Sequence, residues 1–389
     1  MTRDNASAEA TGMLAERTGT DPGDWYLVFK ARYGMQVVFR AMVDERGPGD
    51  IVTQAFTCST AVDPILVAGL HPVYADVSPT TVAIDPDRLA VGAATRGVVL
   101  QHTFGIVDHA AALRVREAAV AAGAVLVEDS AHCVGRMARD PDGAPVADVS
   151  IHSFGVEKML RTRFGGAVWV NPAMSDSVLR ARIVADLASL PVVGHRLDLV
   201  ARLYRSEVRV LNRLPATEGA WVRAALTKIG AFEPPIAAAE RRGGLAHQPM
   251  RPSAWMTARI AGALPSLAGD EARRAEVVAE YVRALADVVE IPAAIGDGLP
   301  LVRFPFFAPD GVTAERVIDS LVAAGHYPGR WYRPALFPGV DDPAVYGYTP
   351  GDGSLAVTED LIARVVNLPT TVDVVRARRI VDVVRAAIG

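Results

Sequence analysis

Lysine is scarce in this chain of 389 residues. Of its 40 lysines and arginines only Lys30, Lys158 and Lys228 are lysine. A guanidinium stays protonated, whereas an amine can give up its proton and add to a carbonyl, so carbonyl chemistry would have to rest on one of these three. Lys158 stands apart from the others. It follows by twenty-nine residues the acid that closes Val125-Leu126-Val127-Glu128-Asp129, comes just after a polar segment ending at Ser153, and precedes Gly165-Gly166. His132 lies between acid and lysine. Ligands of α/β sheets bind beyond the carboxyl ends of strands, so two neighbouring strands would bring a carboxylate, an imidazole, a hydroxyl and an amine to one crevice. Lys30 and Lys228 belong to no motif and read as structural.

Those four groups suit pyridoxal 5'-phosphate. The amine condenses with its aldehyde, the carboxylate keeps the ring nitrogen protonated, and hydroxyl and backbone N–H groups bind the phosphate. Each residue also has a plainer role: Lys158 as a surface lysine in a hairpin, Asp129 as a helix N-cap, His132 as a core histidine and Ser153 as a strand-end serine. Their order and spacing favour the cofactor. Rival chemistries lack their signatures, since no G-x-G-x-x-G follows a strand and no P-loop, H-E-x-x-H or G-x-S-x-G is present. His102, His109, His132 and Cys133 stand at no recognised ligand spacing, so no metal is expected.

The elements that must position these residues follow from hydrophobic pattern. From about Asp50 to Asn171 short apolar runs alternate with helical segments, which marks an α/β layer structure. Strands are predicted at Ile51–Ala55, Pro72–Val77, Gly97–Thr103, Ala124–Asp129, Val149–Phe154 and Ala167–Val170, and a helix at His109–Ala122 with Gly123 as its stop. Arginine-rich helices are predicted at Ser177–Leu190 and Leu197–Leu214, before a Pro- and Gly-containing stretch, Glu233–Pro252, that fits no element. A strand at Leu301–Phe307 and helices at Thr313–Ala324 and Asp373–Ile388 complete the reading. The resulting division is an arm at 1–24, loosely held, a large α/β domain at 25–260 with a helical insertion at about 175–250, and a smaller α/β domain at 261–389.

A formal charge of −4 without a basic cluster points away from nucleic acid and anionic membranes as partners. Half of the residues are hydrophobic and 22% are charged, which suits a packed globular protein and excludes disordered classes. Two cysteines, Cys58 and Cys133, make no disulfide framework, and the polar opening segment lacks the apolar centre of a signal peptide. The expectation is a cytoplasmic protein.

Five pieces, in order and spacing, resemble the DegT/StrS family of sugar aminotransferases. They are Phe56-Thr57-Cys58, Gly69-Leu70-His71-Pro72-Val73-Tyr74-Ala75-Asp76-Val77, Gln101-His102-Thr103-Phe104-Gly105, Glu128-Asp129-Ser130-Ala131-His132, and Ser153-Phe154-Gly155 with Lys158 and Gly165-Gly166. Tyr327-Pro328-Gly329-Arg330-Trp331-Tyr332 and Val366-Asn367-Leu368-Pro369 extend the likeness. The resemblance implies fold type I of the aspartate aminotransferase superfamily, with a mostly parallel central sheet flanked by helices and a smaller C-terminal α/β domain. It implies a pyridoxal-phosphate aminotransferase that turns a keto group on a nucleotide-linked sugar or cyclitol into an amine. Glutamate or glutamine would be the donor, and a homodimer with shared active sites the working form.

Carried over by position, Lys158 is the catalytic lysine, Asp129 the partner of the ring nitrogen, His132 the neighbour of the ring, and Ser153 a phosphate ligand. Gly34 and Met35 fall in the phosphate loop Tyr33-Gly34-Met35-Gln36 at the start of a predicted helix, where N–H groups and the dipole favour an anion. Cys58 stands where many members place Trp or Phe over the ring. The chain departs from the family in that loop, which lacks the usual hydroxyls, and in Gln248-Pro249-Met250-Arg251-Pro252, where an arginine reaching the partner's phosphate is expected and Arg251 is the stand-in. Arg330, Trp331 and Tyr332 are further candidates for substrate contact. Two other functions stay open: a dehydratase or other lyase, whose members resembling this family lack the lysine, and an idle relative that binds or regulates.

Overall fold

The computed structural model describes residues 3–296 and 298–389. The first part of the chain runs α1 (Arg3–Thr18), β1 (Trp25–Val28), α2 (Ala31–Arg46), β2 (Asp50–Thr53), α3 (Ser59–Val67), β3 (His71–Tyr74), β4 (Thr95–Gln101), α4 (His109–Ala121), β5 (Val125–Asp129), β6 (Val149–Ser153) and β7 (Gly166–Val170). The seven strands form one sheet in the order β1-β7-β6-β5-β4-β2-β3. All pairings are parallel except those that β7 makes with β6 and β1. Every residue of β5, β6 and β7 is buried, which explains why β5 and β7 read as apolar runs rather than as alternation, while the serines and histidine of β6 are buried polar groups.

Helices cover both faces. On one, Val38 and Met42 of α2 and Val62 and Ile65 of α3 pack with Val127, Val149 and Val168 of the sheet. On the other, Ala112, Val115 and Ala119 of α4 meet Val98, Leu100 and Leu126. Helix α4 starts where Asp108 accepts a hydrogen bond from Ala111 N–H at 2.9 Å, a cap the sequence reading did not name, and stops before Gly123 at φ 68°, as that glycine signalled.

The opening segment differs from the expected loose arm. Ala6, Ala10, Leu14 and Ala15 recur at helical spacing and are buried where α1 packs on α8 (Ala254–Ala263). Small side chains let the two helices approach closely, and the low apolar content of α1 concealed this docking face. Between the sheet and α8 lie α5 (Ser177–Ser189), α6 (His195–Leu211) and α7 (Ala216–Lys228), followed by a stretch tied to the front of α2 by ion pairs of Glu233 with Lys30 and Glu240 with Arg32. The second, two-stranded sheet pairs β8 (Arg303–Phe307) antiparallel with β9 (Val365–Pro369). Helices α9 (Leu267–Leu285), α10 (Gly311–Ala323), α11 (Ala356–Arg364) and α12 (Val374–Ile388) pack with it around Phe304, Phe306, Val317, Leu321, Ile380 and Val384.

A buried polar network crosses the sheet next to the future site. Glu128 accepts from Ser150 Oγ at 2.6 Å and pairs with His102 Nε2 at 2.7 Å; Ser150 Oγ also contacts His152 Nε2 at 3.1 Å. Burial pushes the His152 imidazole down to about 4, against the opposing pull of Glu128. The unfolded chain therefore binds a proton between pH 6.5 and 4 that the folded chain refuses. This contribution is complete above pH 6.5 and is lost as pH falls, at about 1.4 kcal/mol per unit and roughly 3 kcal/mol in all. Urea unfolding at pH 7 and pH 4.5 is expected to show a smaller loss on acidification for His152→Asn than for the parent chain; equal losses would assign the acid sensitivity elsewhere.

Candidate active site

β5 and β6 are parallel neighbours in register, with Asp129 opposite Ile151, so the two strands end side by side. Their ends open into a cavity of about 480 Å³ whose walls include Asp129, His132, Ser153, Lys158, Cys58 and Met35. Six of the seven residues assigned to the site by resemblance therefore meet.

Lys158 is half-buried at the cavity wall, and desolvation there lowers its pKa, with Cys58 and Asp129 among the groups that oppose the shift. Its Nζ lies 4.8 Å from the centre of the Trp331 ring. Asp129 is 4% exposed and accepts one hydrogen bond, from Ala131 N–H at 3.0 Å. Burial raises its pKa, and Lys158 and the Ala131 N–H pull the other way. A buried carboxylate so sparsely paired is suited to a cationic N–H delivered from the cavity.

His132 is held on both edges. Its Nδ1 accepts from Phe104 N–H at 2.9 Å, which places the proton of the neutral ring on Nε2, 3.0 Å from Tyr332 Oη. Burial first, then Lys158 and Arg303, keep the imidazole neutral well below its ordinary range. Its ring stacks on Trp331 with centroids 5.0 Å apart. Both nitrogens are thus engaged by the protein, and His132 presents its position and ring rather than a free hydrogen bond. Ser153 closes β6 at the cavity wall, where its Oγ accepts from Gly155 N–H at 3.3 Å.

Gly34 lies elsewhere. Helix α2 already begins at Ala31, so Gly34 is a turn inside it and buried against the sheet, while Ala31 and Arg32 line the cavity at the helix start. A Cβ on Gly34 would stand 2.5 Å from Val168 Cγ2. The residue serves close helix–sheet packing and does not line the cavity, whereas Met35 of the same stretch does. Gly34→Ala is expected to lower stability by about 1–2 kcal/mol, overpacking outweighing the gain in helix propensity; a thermal melt unchanged from the parent would refute the packing role. Arg251 is not at the cavity either: it pairs in a bridge with Val192 and borders a smaller cleft with Trp25 and Tyr26.

Three cavity residues escaped the sequence reading. Lys30, read as structural, is buried and bound to Glu233 but also lines the cavity. Arg32 pairs with the buried Glu240, and Arg303 enters from β8. Nothing in local pattern distinguishes these arginines from the many others. Together with Lys158, Arg163 and Arg330 they give the cavity six basic groups against Asp129, Glu157 and Glu233, in a chain whose net charge is −4. The field in the crevice therefore favours anions. No cluster of three potential metal ligands occurs among the described residues, and no helix among them is long and apolar enough to cross a membrane.

Comparison with known proteins bears on this geometry directly. Residues 31–189 match the DegT/DnrJ/EryC1/StrS aminotransferase family. The matched segment holds Asp129, Ser153 and Lys158, so the motif resemblance to this family is shown where the site is built. Among curated relatives in the same stretch, the dTDP-4-dehydro-2,6-dideoxy-D-glucose 3-dehydratase of Saccharopolyspora spinosa is 33% identical over 143 residues, covering 36% of this chain and 29% of that one. The pleiotropic regulatory protein of Geobacillus stearothermophilus is 36% identical over 174 residues, covering 43% and 45% respectively. The chain thus spans less than half the length of either. The crystal structure of NtdA from Bacillus subtilis, with bound cofactor PMP, superposes with a TM-score of 0.68 at 15% identity, covering 97% of this chain and 77% of NtdA. This likeness extends over both sheets and identifies the architecture as fold type I, as the family resemblance led one to expect.

Proposed function

We propose that the protein is a pyridoxal-phosphate-dependent aminotransferase that converts a keto group to an amine, on a nucleotide-linked sugar or a cyclitol, with glutamate or glutamine as donor. The observation that carries this reading is a half-buried lysine of lowered pKa sharing a cavity with a buried, sparsely paired carboxylate at the end of a neighbouring strand. The residues fit the group. Asp129 would face its ring nitrogen, while Ser153 and the first turn of α2, which has no side-chain cap from Lys30, would take its phosphate. When bound, pyridoxal phosphate supplies an aldehyde and a protonated ring that accepts electrons.

The chain does the rest. Desolvation raises the neutral fraction of the Lys158 amine, which makes it a nucleophile and then a base able to carry a proton at Nζ. Asp129, ionised beside a cation, keeps the ring nitrogen protonated. His132, fixed by Phe104 and Tyr332, gives the ring a rigid neighbour that brings no charge. The basic excess of the cavity supports an anionic co-substrate, as a nucleotide-linked sugar is.

Both a dehydratase and a regulatory protein stand among the relatives, and Lys158 favours transamination over either. The working form is taken to be a homodimer, in keeping with Leu203, Val210 and Trp221 left exposed on α6 and α7. The test is a panel of amino donors and keto-sugar nucleotides given to the cofactor-loaded protein. Stoichiometric conversion of one donor to its keto acid is expected; loss of a hydroxyl from the sugar without keto-acid release would make the protein a lyase.

A further inference from the structure

Close to Lys158 lies a charged pair that this chemistry does not employ. Arg303 opens β8, is 7% exposed and lines the cavity. Its guanidinium carbon lies 5.4 Å from the Tyr327 ring centre and 5.1 Å from that of Trp331, the same ring that Lys158 Nζ approaches. Its stem is hemmed in, because a Cβ on Gly329 would come within 2.8 Å of Arg303 Cδ. The guanidinium makes one side-chain hydrogen bond among the described residues, from Nη2 to Glu157 Oε2 at 3.1 Å. Glu157 is the residue before Lys158. Its side chain is 42% exposed, and its backbone sits at φ 61°, a left-handed conformation that costs a non-glycine residue energy and often marks a functional position.

We propose that Arg303 binds a carboxylate of the amino donor and that Glu157 is an internal stand-in which the donor's carboxylate displaces. The inference rests on the aminotransferase reading above. A rigid guanidinium on aromatic faces leaves its edge free, and that edge matches a carboxylate in shape and charge. A buried cation needs an anion in every state of the site. Glu157 supplies it when the site is empty and, being partly solvated already, returns to water at little cost when a ligand arrives. The position favours a donor carboxylate over a diphosphate, because one aromatic ring spans Arg303 and the amine at which the donor must react. Competition by Glu157 lowers the apparent affinity by the fraction of sites it occupies, so removing its charge tightens carboxylate binding.

Calorimetric titration of glutarate, and separately of inorganic pyrophosphate, into the cofactor-loaded and the cofactor-free chain tests this. Arg303→Gln is expected to weaken glutarate binding about tenfold or more, Arg303→Lys to recover part of it, and Glu157→Gln to tighten it about threefold or more, with pyrophosphate unchanged throughout. Unchanged glutarate affinity in Arg303→Gln, no gain in Glu157→Gln, or loss of pyrophosphate in place of glutarate would overturn the proposal. Glu157 is exposed, so its variant decides the matter even if the Arg303 variants do not fold. Failure to take up pyridoxal phosphate would count against the proposed function alone, since the pair exists in the cofactor-free chain and its titrations still read out.

Discussion

Lys158→Ala protein is expected to fold and to lose donor-to-keto-acid conversion by about 10⁴-fold or more. The loss is large because one side chain carries both tasks that the reaction needs from the protein, holding the cofactor and moving the proton. The fold is expected to survive for a separate reason. Lys158 is half-buried, its pKa is lowered by desolvation, and its visible partner is the Trp331 ring. An amine with a lowered folded pKa weakens stability at neutral pH, where the unfolded chain is protonated at no cost. Removing it is therefore expected to leave the melting temperature equal or higher. A variant that melts well below the parent would show a structural lysine, and one that keeps the activity would remove Lys158 from the chemistry.

Asp129→Asn carries the second large effect, a fall in turnover of about 10²–10³-fold with cofactor binding weakened about tenfold. The amide keeps the shape and can still accept from Ala131 N–H, so the change isolates the charge. Burial raises the pKa of Asp129, which means that its ionised form is penalised in the empty site above that pKa. The variant is thus expected to be more stable than the parent at neutral pH while being a worse enzyme. Unchanged turnover with unchanged stability would make Asp129 a bystander at a strand end. These two variants separate the account from a purely structural one, because both exchange activity for stability.

Much of this site was legible in the sequence because its residues sit at strand ends. The run before Asp129 is strongly apolar and the one before Ser153 is a polar strand, and parallel pairing of β5 with β6 converts a separation along the chain into adjacency in space. Lys158 stood out instead by the scarcity of lysine and by its spacing from Asp129 and Gly165-Gly166. Gly34 was misplaced because a helix start without a capping side chain leaves no sequence mark, and α2 begins at Ala31 behind Lys30, which makes no such cap. Helix α1 escaped notice because its buried face is mainly alanine, which contributes little to a hydrophobic pattern. β1 was missed for want of length: four residues pairing antiparallel at the sheet edge carry no periodic signal. Lys30, Arg32 and Arg303 reach the cavity through tertiary packing alone. Their significance lies in partners more than a hundred residues away, Glu233, Glu240 and Glu157, which no local window can see.

The measurement that bears most directly on the central claim is borohydride reduction of the pyridoxal-phosphate-loaded protein, followed by proteolysis and mass mapping of the residue that retains the cofactor. The account predicts a single modified site, Lys158, and none in the Lys158→Ala chain. Label on Lys30 or Lys228, or no label on a chain that nonetheless releases keto acid from its donor, would contradict it.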